Sequence, residues 1–347
     1  MRPMRRVAAL VLLAACGPAP SAPLSAAPTG SAQGPEKAVQ VPLAVSATVL
    51  PNADREPAVG ERLDLAGARR YLVRRVNADR AKFQLPPVLL DDGPATIAAQ
   101  RHAEDLCRHG FLGHWGSDGS VPEQRYSEAG GSDMILENAL GVVDEKSRKL
   151  QEKVAISAAE LAHSESLFFD ELPPHDGHRK NILTATHTHV GIGIAVTEAP
   201  GELGAPCIVQ EFIDRAGTFA PLPAVLVAGA GIDLDGTIAS PLIVGGFGLA
   251  FLPAPLPLPI AEANRRRSYT VPAPTVQFWP KGFRTPLPVV LEAGAGGTRA
   301  TLHVPAAMIP HGETPKQPGL LEISVWARAA NDETYRRVSL RTIPFRP

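Results

Sequence analysis

The sequence predicts an α+β protein in which a mixed helical and stranded part is followed by an all-β, sandwich-like part. Three segments between residues 65 and 169 repeat apolar residues at helical spacing. A strand-type alternation then runs from Val190 to Val196. After Pro221 the helical period disappears, and short β-prone runs are separated by Gly and Pro turns.

Length and charge limit the classes of protein to consider. A chain of 347 residues exceeds one average domain and predicts two. Its composition, 44% hydrophobic and 20% charged, is typical of soluble globular proteins. The net charge of -1 provides no global attraction to polyanions, so we expect no nucleic-acid partner.

Residues 1–16 predict export. Arg2, Arg5 and Arg6 form a positively charged N-terminal region. The apolar run Val7–Leu13 that follows is too short to span a bilayer. The run leads into Ala14-Ala15-Cys16, which resembles the bacterial lipobox, where the cysteine is lipidated and becomes the mature N-terminus. We therefore expect Cys16 to anchor the protein to a membrane of the bacterial cell envelope, the outer one in a cell with two membranes. The alternative is an ordinary secretory signal, which leaves the protein secreted.

Three further segments follow the signal. Residues 17–60 are rich in Ala, Pro, Ser and Gly without apolar periodicity, which predicts a disordered tether. Residues 61–217 form the predicted first domain. Residues 222–347 form the predicted β-sandwich-like domain, whose role the sequence does not indicate.

The first domain is predicted to contain three helices with apolar residues at helical spacing, and the first of them carries arginines on its other face. Pro86 and Pro87 end the first helix, and Gly110 ends the second. The predicted spans are 65–83, 94–110 and 147–169, with a glycine-rich loop over 111–132.

Two strands are predicted to follow the helices, antiparallel to each other. In Val190–Val196, bulky residues alternate with Gly191, Gly193 and Ala195, so one face is flat and permits close approach of a helix. The second strand lies in Pro206–Asp214. The β-prone runs of the C-terminal part are 224–227, 242–244, 268–271, 275–279, 288–291, 300–304, 321–327 and 337–342.

Several short motifs occur in a fixed order in the first domain. They are 76–80 (VNADR) with 85–87 (LPP), 98–105 (AAQRHAED), 110–114 (GFLGH) with 118–119 (DG), 137–138 (EN), 177–183 (GHRKNIL) and 189–195 (HVGIGIA). In this order they resemble the CAP superfamily, which groups cysteine-rich secretory proteins, antigen 5 and pathogenesis-related proteins, and most closely its bacterial branch with the SCP domain. The resemblance covers roughly residues 65–215.

The resemblance implies a three-layer α-β-α sandwich and a shallow cavity with two histidines and two acidic residues. The matching histidines are His114 and His178, and the first acid is Glu137. Glu171 is our candidate for the second acid, although the family's preceding tryptophan is absent and extra residues separate Glu171 from Gly177. The substitutes for Glu171 are Asp170 and His175.

Four functions are open to a domain with these groups. Imidazole and carboxylate are ligands for zinc or another divalent cation, and some members of the family bind such ions there. The same groups are also able to pair with one another and only stabilise the fold. Peptidase activity has been proposed within the family, yet no Ser/His/Asp or HExxH arrangement stands out in this sequence, so its catalytic residues are unknown. The fourth is binding of a lipid or a cell-envelope protein, which we favour over a hydrolase.

Two cysteines remain after Cys16. An exported protein matures where disulfides persist, so Cys107 and Cys207 either pair or stay as two small buried hydrophobic residues. Without a CxxC motif, a thiolate metal site is not expected.

Overall fold

The computed structural model describes residues 11–15 (backbone), 56–58, 60–198, 206–314 and 316–347. The predicted lipidation site Cys16 and nearly all of the predicted tether lie outside these residues. The helices are α1 (Leu65–Ala81), α2 (Pro94–His109), α3 (Pro122–Glu128), α4 (Ala158–Phe169), α5 (Gly177–Ile182) and α6 (Ile260–Arg265), with a 3-10 turn at Ala306–Met308.

Most strands fall into three sheets. The first, in the order β1-β4-β7-β6-β3, contains β1 (Val11–Ala15), β4 (Met134–Val142), β7 (Pro206–Asp214), β6 (His189–Val196) and β3 (Leu89–Leu90). The second contains β13 (Val290–Gly294), β14 (Gly297–Val304), β10 (Ile232–Ala239) and β8 (Gly217–Phe219). The third contains β12 (Val276–Phe278), β11 (Ile243–Pro253), β15 (Gly319–Arg328), β16 (Arg336–Arg346) and β9 (Leu226–Val227). The short strands β2 (Arg62–Leu63) and β5 (Ile156–Ser157) pair separately.

Local signals explain where α1 and α2 begin and end. The Asp64 carboxylate accepts a hydrogen bond from the Gly67 amide at 2.7 Å and caps α1. Pro94 is the first residue of α2, where a backbone N–H would have no acceptor within the helix, so its absence in proline loses no hydrogen bond. Gly110 closes α2 in the left-handed conformation, with φ of 64°.

The first sheet lies between two helical layers, as the resemblance implied. Helices α1 and α4 pack on one face, against alternate residues of the strands such as Ile192, Ile208 and Phe212. Helix α2 packs on the other face, against residues such as Ala139 and Val209. The predicted antiparallel pairing of the two central strands is confirmed.

The flat face of β6 receives α2, as predicted from its glycines. A Cβ on Gly191 would lie 2.2 Å from the carbonyl carbon of Ala95, and one on Gly193 would lie 2.1 Å from the carbonyl oxygen of Ala99. A disulfide between Cys107 and Cys207 joins the same helix to β7, with a Cα–Cα distance of 5.6 Å. Helix α2 is therefore held to the sheet by both close packing and a covalent bond.

Two predicted features of the first domain are wrong. The helix predicted from residue 147 begins only at Ala158, because Ser157 and Glu160 form a capping box and Ile156 and Ser157 pair with β2. The predicted loop 111–132 contains the short helix α3, which Pro122 opens.

The C-terminal part consists of two sheets that enclose one apolar core, so the predicted fold class is confirmed. The run 268–271 is not a strand, because Tyr269 packs instead against Trp115 of the first domain. Strand β10 was not predicted. Strand β8 begins at Gly217, inside the predicted first domain, and pairs with β10.

Polar contacts join the two parts of the chain. The Arg336 guanidinium donates to Asp214 at 2.7 Å, and the Ser339 hydroxyl donates to the carbonyl of Ser132 at 2.5 Å. Within the part of the chain that the structure describes, none of the helices combines the length and apolar character needed to cross a membrane.

Candidate functional site

The predicted residues His114 and Glu137 form a buried pair. His114 lies in the loop after α2, Glu137 lies on β4, and both side chains are fully buried. The imidazole Nδ1 is 2.8 Å from Glu137 Oε1. Arg125 of α3 donates to the other carboxylate oxygen at 2.7 Å. Both oxygens of Glu137 are thus bound by protein groups.

Two further ionisable residues surround this pair and were not assigned to the site from sequence. His102 of α2 lies with Nε2 2.8 Å from the carbonyl of Gly113 and 3.6 Å from Glu137 Oε1. Glu211 lies directly opposite Glu137 in the neighbouring strand β7. Only the pairing register of β4 and β7 reveals that the carboxyl groups of Glu137 and Glu211 share one face of the sheet.

The electrostatics of the pair follow from burial and from Arg125. Burial alone would raise the pKa of Glu137, yet the neighbouring His102 and Arg125 hold that pKa below its usual range. Burial, together with the positive charge of Arg125, lowers the pKa of His102 to about 4. Near neutral pH the cluster therefore contains an ionised Glu137 and an uncharged His102.

His178 and Glu171 form a second pair. Glu171 Oε1 lies 2.6 Å from the imidazole Nδ1 of His178, and Glu171 Oε2 accepts a hydrogen bond from the His178 amide at 2.9 Å. The ring of His178 packs 5.0 Å from that of Phe168. The two substitutes considered for Glu171, Asp170 and His175, are exposed.

The two pairs lie on opposite faces of the first sheet. Successive side chains of a strand point to opposite faces, and Glu137 faces α2 and α3. Its neighbour Asn138 faces α5, where its amide donates to the carbonyl of His178 at 3.3 Å. The structure thus brings the four predicted residues together as two pairs, one on each side of β4.

A chain of buried amides continues from Asn138. Asn138 donates to Gln210 at 3.0 Å and accepts from Asn181 at 2.9 Å. Gln210 in turn donates to Glu165 of α4 at 2.5 Å. Burial and the nearby charge of Asp79 raise the pKa of Glu165 to about 8. This polar layer was not predicted, because its members come from four separate elements.

The raised pKa of Glu165 makes stability depend on pH. The folded protein retains a proton that the unfolded chain releases above its ordinary pKa of 4.5, so the free energy of unfolding falls as pH rises from there to about 8. Glu165→Gln should flatten this decline by about 1.4 kcal/mol per pH unit, measured by urea unfolding between pH 5 and 8. Part of the decline should remain, because burial also raises the pKa of Glu322 to about 8. The matched control Glu152→Gln removes an exposed carboxylate and should leave the slope unchanged; the same slope in both variants would contradict the assignment.

The surroundings of Glu137 do not suit a divalent cation. No group of three or more His, Cys, Asp or Glu side chains is arranged to hold a metal ion among the residues that the structure describes. The carboxylate of Glu137 is already bound to the permanently charged guanidinium of Arg125, which would repel a cation at that position. The zinc or other divalent ion that the resemblance implied therefore has no ligand set at Glu137.

Among the residues that the structure describes, two of the cavities border the first domain. One of about 580 Å³ lies between the start of α1, the α2 residues Gln100, Glu104 and Arg108, and residues 150–154. The other, of about 190 Å³, is lined by His102 and Arg125 together with Ser117 and Ser120. The first is large enough for a small-molecule ligand and does not include either His–Glu pair.

The first domain thus combines a mainly antiparallel central sheet, two helical layers and one His–Glu pair on each face of the sheet. Residues 73–212 match the family model described as CAP, the cysteine-rich secretory protein family. This part of the chain is similar to that family, and the β-rich part follows it in the chain. No curated protein matches the chain significantly.

Proposed function

We propose that the protein is an exported protein of the bacterial cell envelope whose CAP domain works as a binding module. The signal at residues 1–16 and a lipidated Cys16 would hold it at a membrane, and a lipid or an envelope protein would be its ligand. Cleavage before Cys16 would also remove β1 and leave β4 as the edge of the first sheet.

The main support for this proposal is that both carboxylate oxygens of Glu137 already accept hydrogen bonds from the protein. A general base must reach the substrate proton, directly or through one water. Glu137 is fully buried, and its two oxygens accept from His114 and Arg125. A carboxylate in this position favours a structural role for the His114–Glu137 pair, and a ligand would then bind at the surface of the domain. The same burial argues against the alternative of a metal-dependent or other hydrolase.

The proposal is tested with the full chain carrying Cys16→Ser, so that the anchor does not obscure ligand binding. We expect this protein to sediment with vesicles of bacterial phospholipid or with isolated cell-wall sacculi. A His114→Gln/His178→Gln variant should sediment to the same extent, and neither protein should cleave a quenched-fluorescence peptide library. Near-UV circular dichroism checks that both are folded.

Three results would contradict the proposal. One is the absence of sedimentation with either material. The second is peptide turnover that disappears in a folded Glu137→Gln variant. The third is stoichiometric zinc in the purified protein that the double histidine variant loses, which would support the metal alternative. Expression with intact Cys16 tests the anchor separately, because Cys16→Ser should move the protein from the membrane fraction to the soluble fraction.

A further inference from the structure

A segment of the C-terminal part lies across the loop that carries His114. We call residues 254–272 the strap; it follows β11 and contains α6. At its start, the Leu258 amide donates to the carbonyl of Ser117 at 2.8 Å. A Cβ on Gly119 would lie only 2.3 Å from the carbonyl oxygen of Leu256. The first part of the strap therefore touches the backbone of the loop directly.

The middle of the strap caps the same loop. Asn264 of α6 accepts a hydrogen bond from the Leu112 amide at 3.0 Å and donates to Glu145 at 3.3 Å. Ala263 is fully buried in the apolar cluster beneath α2. Gly113 permits this contact, because a Cβ there would lie 3.1 Å from the Cα of Arg267.

The end of the strap holds His114 itself. The His114 amide donates to the carbonyl of Arg267 at 3.1 Å. The Tyr269 hydroxyl donates to the buried carboxylate of Glu123, and the Tyr269 ring meets Trp115 edge to face at 5.2 Å. The chain thus follows the loop from Ser117 back to His114.

We infer that the strap is a lid that controls access of solvent and ligands to the His114–Glu137 pair. Loops normally run over the surface, yet His114 is fully buried within one, and the strap is the segment that covers this loop. The strap contributes to no β-sheet, and its polar contacts alternate with exposed positions such as Leu256, which is 72% exposed. It therefore opens without breaking either sheet of the C-terminal part. This inference does not depend on the proposed function.

The test removes two attachment points in the full-length protein. Gly119→Ala places a methyl group against the Leu256 carbonyl, and Asn264→Ala removes the acceptor of the Leu112 amide. In the double variant, carbethoxylation of His114 by diethyl pyrocarbonate, located by mass spectrometry, should be about tenfold faster than in the unmodified sequence. Exposed His163 is the internal reference. Hydrogen exchange of the strap amides is measured in parallel.

The matched control is Gly130→Ala. Gly130 also has a positive φ, 93°, but no atom lies within 4 Å of the position that a Cβ would take there, so the substitution adds backbone strain without touching the strap. We expect no change in His114 labelling. Faster exchange in the strap with unchanged labelling of His114 would overturn the inference, because another part of the chain would then seal the pair. Unchanged exchange in the double variant would also overturn it, because a lid that has lost two of its attachments must open more often.

Discussion

Replacing Arg125 by leucine should lower the free energy of unfolding by about 3–5 kcal/mol. The substitution removes the guanidinium that lies 2.7 Å from Glu137 and leaves a fully buried carboxylate without its charged partner. The same guanidinium also donates to the carbonyls of His114 and Ser120, which would lose a donor. Urea unfolding at pH 7, followed by circular dichroism, measures the effect.

Two control variants separate the buried charge from general loss of an arginine. Arg101→Leu removes a half-exposed arginine that pairs with Asp118 and Glu128, and it should cost no more than about 1 kcal/mol. A double variant, Arg125→Leu with Glu137→Leu, should recover part of the loss, because the Glu137 carboxylate is then no longer left buried without its charged partner. A double variant less stable than Arg125→Leu alone would contradict this explanation.

The joint substitution Cys107→Ala and Cys207→Ala should lower the free energy of unfolding by about 2–5 kcal/mol. The disulfide links residues 100 apart in sequence, so it restricts a long segment of the unfolded chain. It also holds α2 against the sheet beside the His114 loop. Guanidinium unfolding under oxidising conditions measures the difference.

The control for this second prediction is Cys16→Ala, which removes the third cysteine and leaves the pair intact. It should match the unmodified protein in the same buffer. Adding a reductant should destabilise the unmodified protein but not the double alanine variant. Equal sensitivity of both proteins to the reductant would show that the disulfide is not the source of the stability.

Local patterns predicted the helices and strands with the strongest periodicity. Pro94 and Gly110 delimit α2 through rules that act within a few residues, and the glycines of β6 predicted the close approach of a helix. Local patterns failed where a short-range signal competed with periodicity. The run from residue 147 has helical spacing, yet the capping box at Ser157 sets the start of α4.

The candidate site was only partly predictable. The family resemblance indicated His114, Glu137 and His178, with Glu171 as the candidate second acid, and the structure places each histidine beside one of the acids. Arg125 was not predicted, because it comes from a helix inside a segment that reads as a glycine-rich loop. The strap was not predicted either, since Ser268–Val271 has the composition of a strand and its contacts with Trp115 join residues far apart in sequence.

The sequence by itself determined the fold class, the candidate histidines and acids, and the expectation of export, because these depend on periodicity, composition and motif order. Only the tertiary structure decided which acid meets which histidine, on which face of β4 each pair lies, and what covers His114. These features depend on strand register and on the packing of segments far apart in sequence. Neither is visible as a pattern among neighbouring residues.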